Sequence, residues 1–185
     1  TELTLVGNEL GDLSRVTALT KLESLTLVAP NMPELPDLTR LNSLKRVELV
    51  ADRLSPADWA HSLPPLERLL LLSNQVDDLT SIAHVQKIDL LTITGECQDL
   101  APLTRIASLR QLTLQDMSVD SEVVNRIPGL RKLALRNAEL IDPDLLSKSI
   151  ELIRFSFEES KYGWRDVCIE RWPRSAMFLE QESPP

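Results

Sequence analysis

One short apolar pattern recurs along this chain and limits what it can fold into. Equivalent apolar residues open segments at Leu22, Leu44, Leu66, Ile88, Leu109, Leu130 and Ile150, at intervals of 22, 22, 22, 21, 21 and 20 residues. Three positions later a second apolar residue follows, at Leu25, Val47, Leu69, Leu91, Leu112, Leu133 and Ile153. Two further on comes a third, at Leu27, Leu49, Leu71, Ile93, Leu114, Leu135 and Phe155. The pattern L-x-x-L-x-L occurs seven times, and Leu3 and Leu5 supply an incomplete eighth copy. A chain built this way stacks like units, each of which buries its apolar face only against its neighbours.

Periodicity inside each unit changes along its length. The L-x-L portion has period two, which predicts a very short strand. The segment that follows runs at a period near three, as in Leu10, Leu13, Val16, Leu19 and Leu22, or Leu79, Ile82, Val85 and Ile88. That spacing suits a 3₁₀ or irregular return better than a regular α-helix. Proline lacks the N–H that a ladder needs, and all twelve prolines fall outside the expected strands. Gly7 and Gly95 stand just after expected strands, where the chain must turn.

"LERLLLLSNQV", residues 66–76, and "DLAPLTRIASLRQLTL", residues 99–114, resemble the leucine-rich repeat proteins, whose pattern is L-x-x-L-x-L-x-x-N-x-L. The length matches the short 22-residue subclass of bacterial internalins and nuclear phosphatase regulators. The resemblance implies an α/β repeat fold: a horseshoe solenoid with a parallel sheet on the concave side and 3₁₀ or irregular returns on the convex side. The family asparagine, which bonds turn backbone along the stack, should be Asn74 in the quoted copy. Elsewhere that position reads Asn8, a shifted Asn31, Asp52, Glu96, Met117 and Ala138, so the later turns should be less regular, with water or backbone replacing the amide. One extra residue is expected in the turns near Pro30 and near Cys97.

The array should span residues 1–157 in about eight repeats. Phe155, Phe157, Tyr162, Trp164, Trp172 and Phe178 crowd the end of the chain, which predicts a cap over residues 158–180 and a polar tail over 181–185. The first copy lacks its opening leucine, and the expectation is a chain continued upstream by further repeats or another domain.

Little in the sequence suggests catalysis. There is no phosphate loop, dinucleotide fingerprint or nucleophile elbow. Cys97 and Cys168 have no zinc spacing and read as free thiols of a reducing compartment, which predicts a cytoplasmic location. A Cys97–His84 nucleophile pair is the one catalytic alternative. Pairs such as Asp77–Asp78 read as solvated turn residues or caps. A formal net charge of −8 disfavours nucleic acid or an anionic membrane as partner. Neither a cofactor nor a metal is expected.

What remains is surface. With the L-x-x-L-x-L positions inward, strand alternation turns the third, fifth and seventh positions outward onto the concave face. Val28, Val50, Leu70, Leu72 and Leu90 should then form a contiguous exposed apolar patch, a common mark of a contact surface. Leu152 falls at the third position of the last copy. Arg46, Arg68, Lys132, Arg136 and Arg154 add a basic set, and Glu48 and Thr92 complete the predicted partner-binding face. The expected function is a non-catalytic, protein-binding or ligand-sensing domain. The resemblance extends to repeat-bearing NACHT/STAND-like immune NTPases, in which such an array recognises a ligand or restrains upstream domains. Its partner would then be another protein or the upstream domains of the same intracellular receptor. A free-standing adaptor like the phosphatase regulators, or a secreted internalin-like adhesin, are the alternatives.

Overall fold

A computed structural model describes residues 1–56, 59–85 and 87–156, with residues 152–156 described as backbone. The expected cap over 158–180 and the tail lie outside the described residues. The strands are β1 (Glu2–Val6), β2 (Ser24–Val28), β3 (Arg46–Leu54), β4 (Leu66–Val76), β5 (Ile88–Cys97), β6 (Gln111–Gln115), β7 (Ser118–Asp120), β8 (Lys132–Arg136), β9 (Glu139–Ile141) and β10 (Glu151–Ser156). Eight of them form one parallel sheet in the order β1-β2-β3-β4-β5-β6-β8-β10, and β7 pairs with β9 in a second, two-stranded sheet.

The sheet forms because each copy places the same two apolar residues inward. Leu25, Val47, Leu69, Leu91, Leu112 and Leu133 line up in register as one buried row. Leu27, Leu49, Leu71, Ile93, Leu114 and Leu135 form the next. The opening residues from Leu22 to Ile150 and the return residues Val16, Leu38, Ile82, Leu103 and Val124 close a single core from the other side. Each fully buried Leu or Ile contributes roughly 1.5–3 kcal/mol, so stacking rather than any one unit holds the fold.

The returns are 3₁₀ turns at Ser14–Ala18, Ala60–Ser62, Thr80–His84, Ala101–Arg105 and Pro143–Leu145. One is instead a turn of α-helix, α1 (Ser121–Asn125). An aspartate introduces many of them and accepts from the backbone N–H two residues on: Asp12 from Ser14 at 2.8 Å, Asp37 from Thr39 at 3.0 Å, and Asp78, Asp99 and Asp120 from Thr80, Ala101 and Glu122 at 2.7 Å. These bonds satisfy N–H groups that a tight turn leaves free. Asp78 of the Asp77–Asp78 pair is therefore a cap. Its partner Asp77 accepts from Arg53 Nε at 2.7 Å.

The turns differ from expectation in several ways. Strands β3, β4 and β5 are 9, 11 and 10 residues long, because pairing continues past the outward seventh position. Ala51 opposes Ser73, and Leu54 opposes Val76. Ala51, Ser73 and Gly95 stand after the seventh position of these strands, and Ala51 is buried. In the later copies that place belongs to Asp116 and Asn137, which cannot turn a polar group into the core. They adopt left-handed backbone at φ 58° and 42°. Met117 turns inward, and the chain then pairs anew as β7 and β9. Backbone pairing thus replaces the missing amide, as expected, and the two later turns share one geometry although the main ladder stops at each. Asn137 Nδ2 also donates to Asp116 Oδ1 at 2.6 Å, linking them.

Asn74 does not play the turn-bonding part. It is exposed and makes no side-chain hydrogen bond among the described residues. Ser73 does the bonding instead: its hydroxyl lies 2.7 Å from the Gln75 carbonyl and 3.0 Å from the Asp52 carbonyl, and accepts from the Gln75 N–H at 3.2 Å. No extra residue enters near Pro30, since the offset of 22 between Val28 and Val50 persists at the Asn31–Arg53 bridge. Near Cys97 the fifth copy is one residue shorter, not longer. Leu72 opposes Thr94 but Gln75 opposes Glu96, so Ser73 and Asn74 bulge opposite Gly95. Gly95 therefore lies inside β5, not after it. At φ +104° a Cβ there would stand 1.9 Å from the Ser73 carbonyl oxygen, which leaves room only for glycine.

The last copy is also re-registered. Glu151 opposes Lys132 and Leu152 opposes Leu133, with a shift before Arg154 meets Ala134. The interval of 20 leaves this copy one residue short, so the third position falls to Glu151 rather than Leu152.

Candidate functional site

Three ladders run across the outward side of the sheet. The seventh-position ladder reads Val6, Val28, Val50, Leu72, Thr94, Gln115 and Arg136. The fifth reads Thr4, Thr26, Glu48, Leu70, Thr92, Thr113, Ala134 and Arg154. The third reads Glu2, Ser24, Arg46, Arg68, Leu90, Gln111, Lys132 and Glu151. Val28, Val50, Leu72, Leu70 and Leu90 thus lie next to one another on one face.

Their exposure differs from expectation. All five are half-buried rather than exposed, as are Glu48 and Thr92. Strands stand about 4.8 Å apart, so side chains in a ladder cover one another's flanks. Val6, at the sheet edge with a single neighbouring strand, keeps 72% of its surface exposed. It was absent from the predicted face, although its place in the valine column is the signal that finds it.

Basic residues occupy two separate places. Arg46 and Arg68 are exposed and directly opposite each other on β3 and β4. Lys132 and Arg136 lie half-buried on β8, and Arg154 on the backbone of β10. The described ion pairs involve other residues, among them Lys45–Glu67 at 3.1 Å, Arg53–Asp77 at 2.7 Å and Lys87–Asp89 at 3.0 Å. Arg46, Arg68, Lys132 and Arg136 have no ion-pair partner among the described residues. The predicted set is therefore brought onto one sheet face but divided into an apolar centre with two arginines and a distant basic end.

Among the described residues, Cys97 and His84 share no hydrogen bond. Cys97 ends β5, and burial pushes its thiol pKa up, with the Asp99, Asp77 and Asp78 carboxylates adding to the rise. A raised thiol pKa opposes formation of the reactive thiolate. Its sulfur contacts the Asp99 carbonyl at 3.7 Å, and His84 is exposed in its return. On the return side, a cleft of about 780 Å³ is lined in part by Asp12, Ser14, Glu34, Asp37 and His61. Asp12 and Asp37 there already accept bonds from Ser14 and Thr39, which hold both carboxyls below their ordinary range. Among the described residues no His, Cys, Asp or Glu cluster suits a metal ion.

Comparison with solved structures agrees with this architecture. An internalin C2 from Listeria monocytogenes str. 4b F2365 superposes over 84% of this chain and 70% of its own, with a TM-score of 0.63 at 24% identity. The fold is a leucine-rich repeat solenoid. An internalin, inlF, from the same strain covers 86% of the solenoid chain with a TM-score of 0.59 at 16% identity, and the chain spans 48% of that protein. No protein-family profile and no curated protein matches the sequence of this leucine-rich repeat chain.

Proposed function

We propose that this solenoid is a non-catalytic protein-interaction module that seats a protein partner on the outward sheet face of β2 to β5. One observation carries the reading: Val28, Val50 and Leu72 are in register on the solvent side of the sheet, joined there by Leu70 and Leu90. A solvated sheet face normally alternates to polar residues at such positions, and Thr94 and Gln115 show that alternative further along the same ladder. Aligned apolar side chains, half-covered by one another, offer a partner contiguous area at little further desolvation cost.

The setting we favour is an intracellular, cytoplasmic receptor of the NACHT/STAND type, in which the face either recognises a ligand or holds upstream domains in place. The half-buried apolar centre suits both, because both occupants are protein surfaces. Substituting Val50→Glu and Leu72→Glu tests the module. The fold should survive, seen as an unchanged circular dichroism spectrum with a melting temperature within a few degrees. Binding of the partner, or protection of the face from labelling in the full polypeptide, should be lost. Retained binding by a folded double variant removes this face from consideration. A receptor lacking a phosphate loop in its upstream sequence removes the NTPase setting alone.

A further inference from the structure

Two arginines stand opposite each other on the outward face with no ion-pair partner among the described residues. Arg46 and Arg68 are paired across β3 and β4, both exposed, in a chain with an excess of carboxylates. Like charges directly opposite on neighbouring strands destabilise a sheet. Nearby acids do not relieve them: Glu48, two residues along β3, forms no ion pair with either arginine, and Glu67 is paired with Lys45 at 3.1 Å. Directly beside the pair on β4 begins the apolar step of Leu70 and Leu72, with Val50 opposite Leu72.

We propose that Arg46 and Arg68 together clamp a carboxylate side chain of a protein partner, whose adjacent apolar side chains seat on Val50, Leu70 and Leu72. The proposal rests on the reading of this face as a protein-binding surface and names the chemistry it selects. Arginines on neighbouring strands, whose backbones stand about 4.8 Å apart, can each give parallel N–H bonds to one carboxylate. A partner that meets both features carries Asp or Glu next to aliphatic or aromatic residues. The adjoining apolar surface favours a peptide segment over nucleic acid, whose phosphate backbone has no apolar counterpart to Leu70 and Leu72. The overall negative charge of the chain opposes nucleic acid further.

A random peptide library displayed on phage and selected on the immobilised 185-residue chain provides the probe. Enriched peptides should carry an acidic residue within a few positions of apolar ones. Measured by fluorescence polarisation, their affinity should fall roughly tenfold or more in Arg46→Gln/Arg68→Gln, the loss expected of charged hydrogen bonds. Replacing the acidic residue of the peptide by its amide should cause a similar loss, and combining both changes should add little further. Raising the salt concentration should weaken binding to the parent chain more than to the double variant. Because both arginines are exposed, the variant should melt at or above the parent temperature, which confirms folding.

The outcomes separate the two claims. Peptides that fail on Leu70→Glu/Leu72→Glu, yet lack acidic bias or ignore the arginine substitutions, overturn the clamp and leave the face standing. Peptides that bind the folded Leu70→Glu/Leu72→Glu variant as well as the parent overturn the face itself. A library that yields no binder, or a fluorescent oligothymidine that binds through Arg46 and Arg68 more tightly than any selected peptide, also overturns the clamp.

Discussion

Strands β3 to β5 and the later copies are built on the same repeat, yet they turn differently. In β3 and β4 the ladder runs on past the outward seventh position, with Ala51 opposite Ser73 and Arg53 opposite Gln75. In the sixth and seventh copies the ladder stops at Gln115 and Arg136, and a second sheet of β7 and β9 begins three residues later. The residue after the seventh position differs between them: in the long strands it is Ala51, Ser73 or Gly95, each within its strand, whereas Asp116 or Asn137 takes a left-handed conformation and hands the inward place to the next residue. The two regions also differ outward. The long strands carry Val50, Leu70, Leu72 and Leu90, and the split ones carry Gln111, Thr113, Gln115 and Lys132. The long strands carry most of the apolar face, and Val28 on the short β2 extends it.

The largest expected effect breaks the long ladder. Gly95→Ala places a Cβ against the Ser73 carbonyl in a left-handed backbone. The backbone strain alone costs about 1–3 kcal/mol, and relief of the clash requires the β4 bulge to shift. Chemical denaturation should show this loss, and hydrogen exchange should rise first at Gln75 and Val76. A smaller effect is expected in the split region. Asn137→Val forces a β-branched residue into left-handed backbone and removes the bond to Asp116, at roughly 1–2 kcal/mol. Asn137→Gly keeps the turn and loses only that bond. Equal losses for the two variants would contradict the assignment of the turn to backbone conformation.

The smallest effect is a pH dependence confined to the returns of the earlier copies, since Asp12, Asp37 and Asp78 all precede the split region. Bonds from Ser14, Thr39 and Thr80 hold the carboxyls of Asp12, Asp37 and Asp78 below their ordinary pKa. A pKa depressed by folding stabilises the native state above the unfolded value, and that stabilisation disappears as pH falls through the folded value. The loss therefore lies below pH of about 4. Replacing all three by asparagine should flatten the melting temperature between pH 5 and pH 3, relative to the parent's decline over about the same interval. An identical decline in the triple variant would assign acid sensitivity to other carboxylates.

The repeat, its parallel sheet and its inward rows were legible because the same apolar spacing recurs and a slipped register would turn every core residue outward. The asparagine position was a poorer guide. Reading Asn74 as the turn residue followed the consensus, but the neighbouring hydroxyl of Ser73 reaches two carbonyls from inside the bulge. The shortening at Gly95 was not legible, since a missing residue and an inserted one both disturb a repeat by a single position. Alternation placed Val28, Val50, Leu70 and Leu72 on the correct side of the sheet. It carries no information on how far neighbouring strands cover them, and therefore gave exposed residues where the structure has half-buried ones. The opposition of Arg46 and Arg68 was implicit in their spacing of 22, but its meaning depends on neither arginine having an ion-pair partner among the described residues, which only side-chain geometry supplies.

The offset of 22 shared by β1 to β4 makes this part of the molecule a modular ruler. Arg46 and Arg68 are 22 residues apart and occupy equivalent sites. Excising residues 46–67 would join Lys45 to Arg68 and set Arg68 opposite Ser24, in the place Arg46 now holds. The face would shrink by one strand, about 4.8 Å, while every remaining row kept its phase. Lineages of such chains can therefore change the reach of their contact surface by whole-unit gain or loss, leaving the chemistry of each surviving unit untouched.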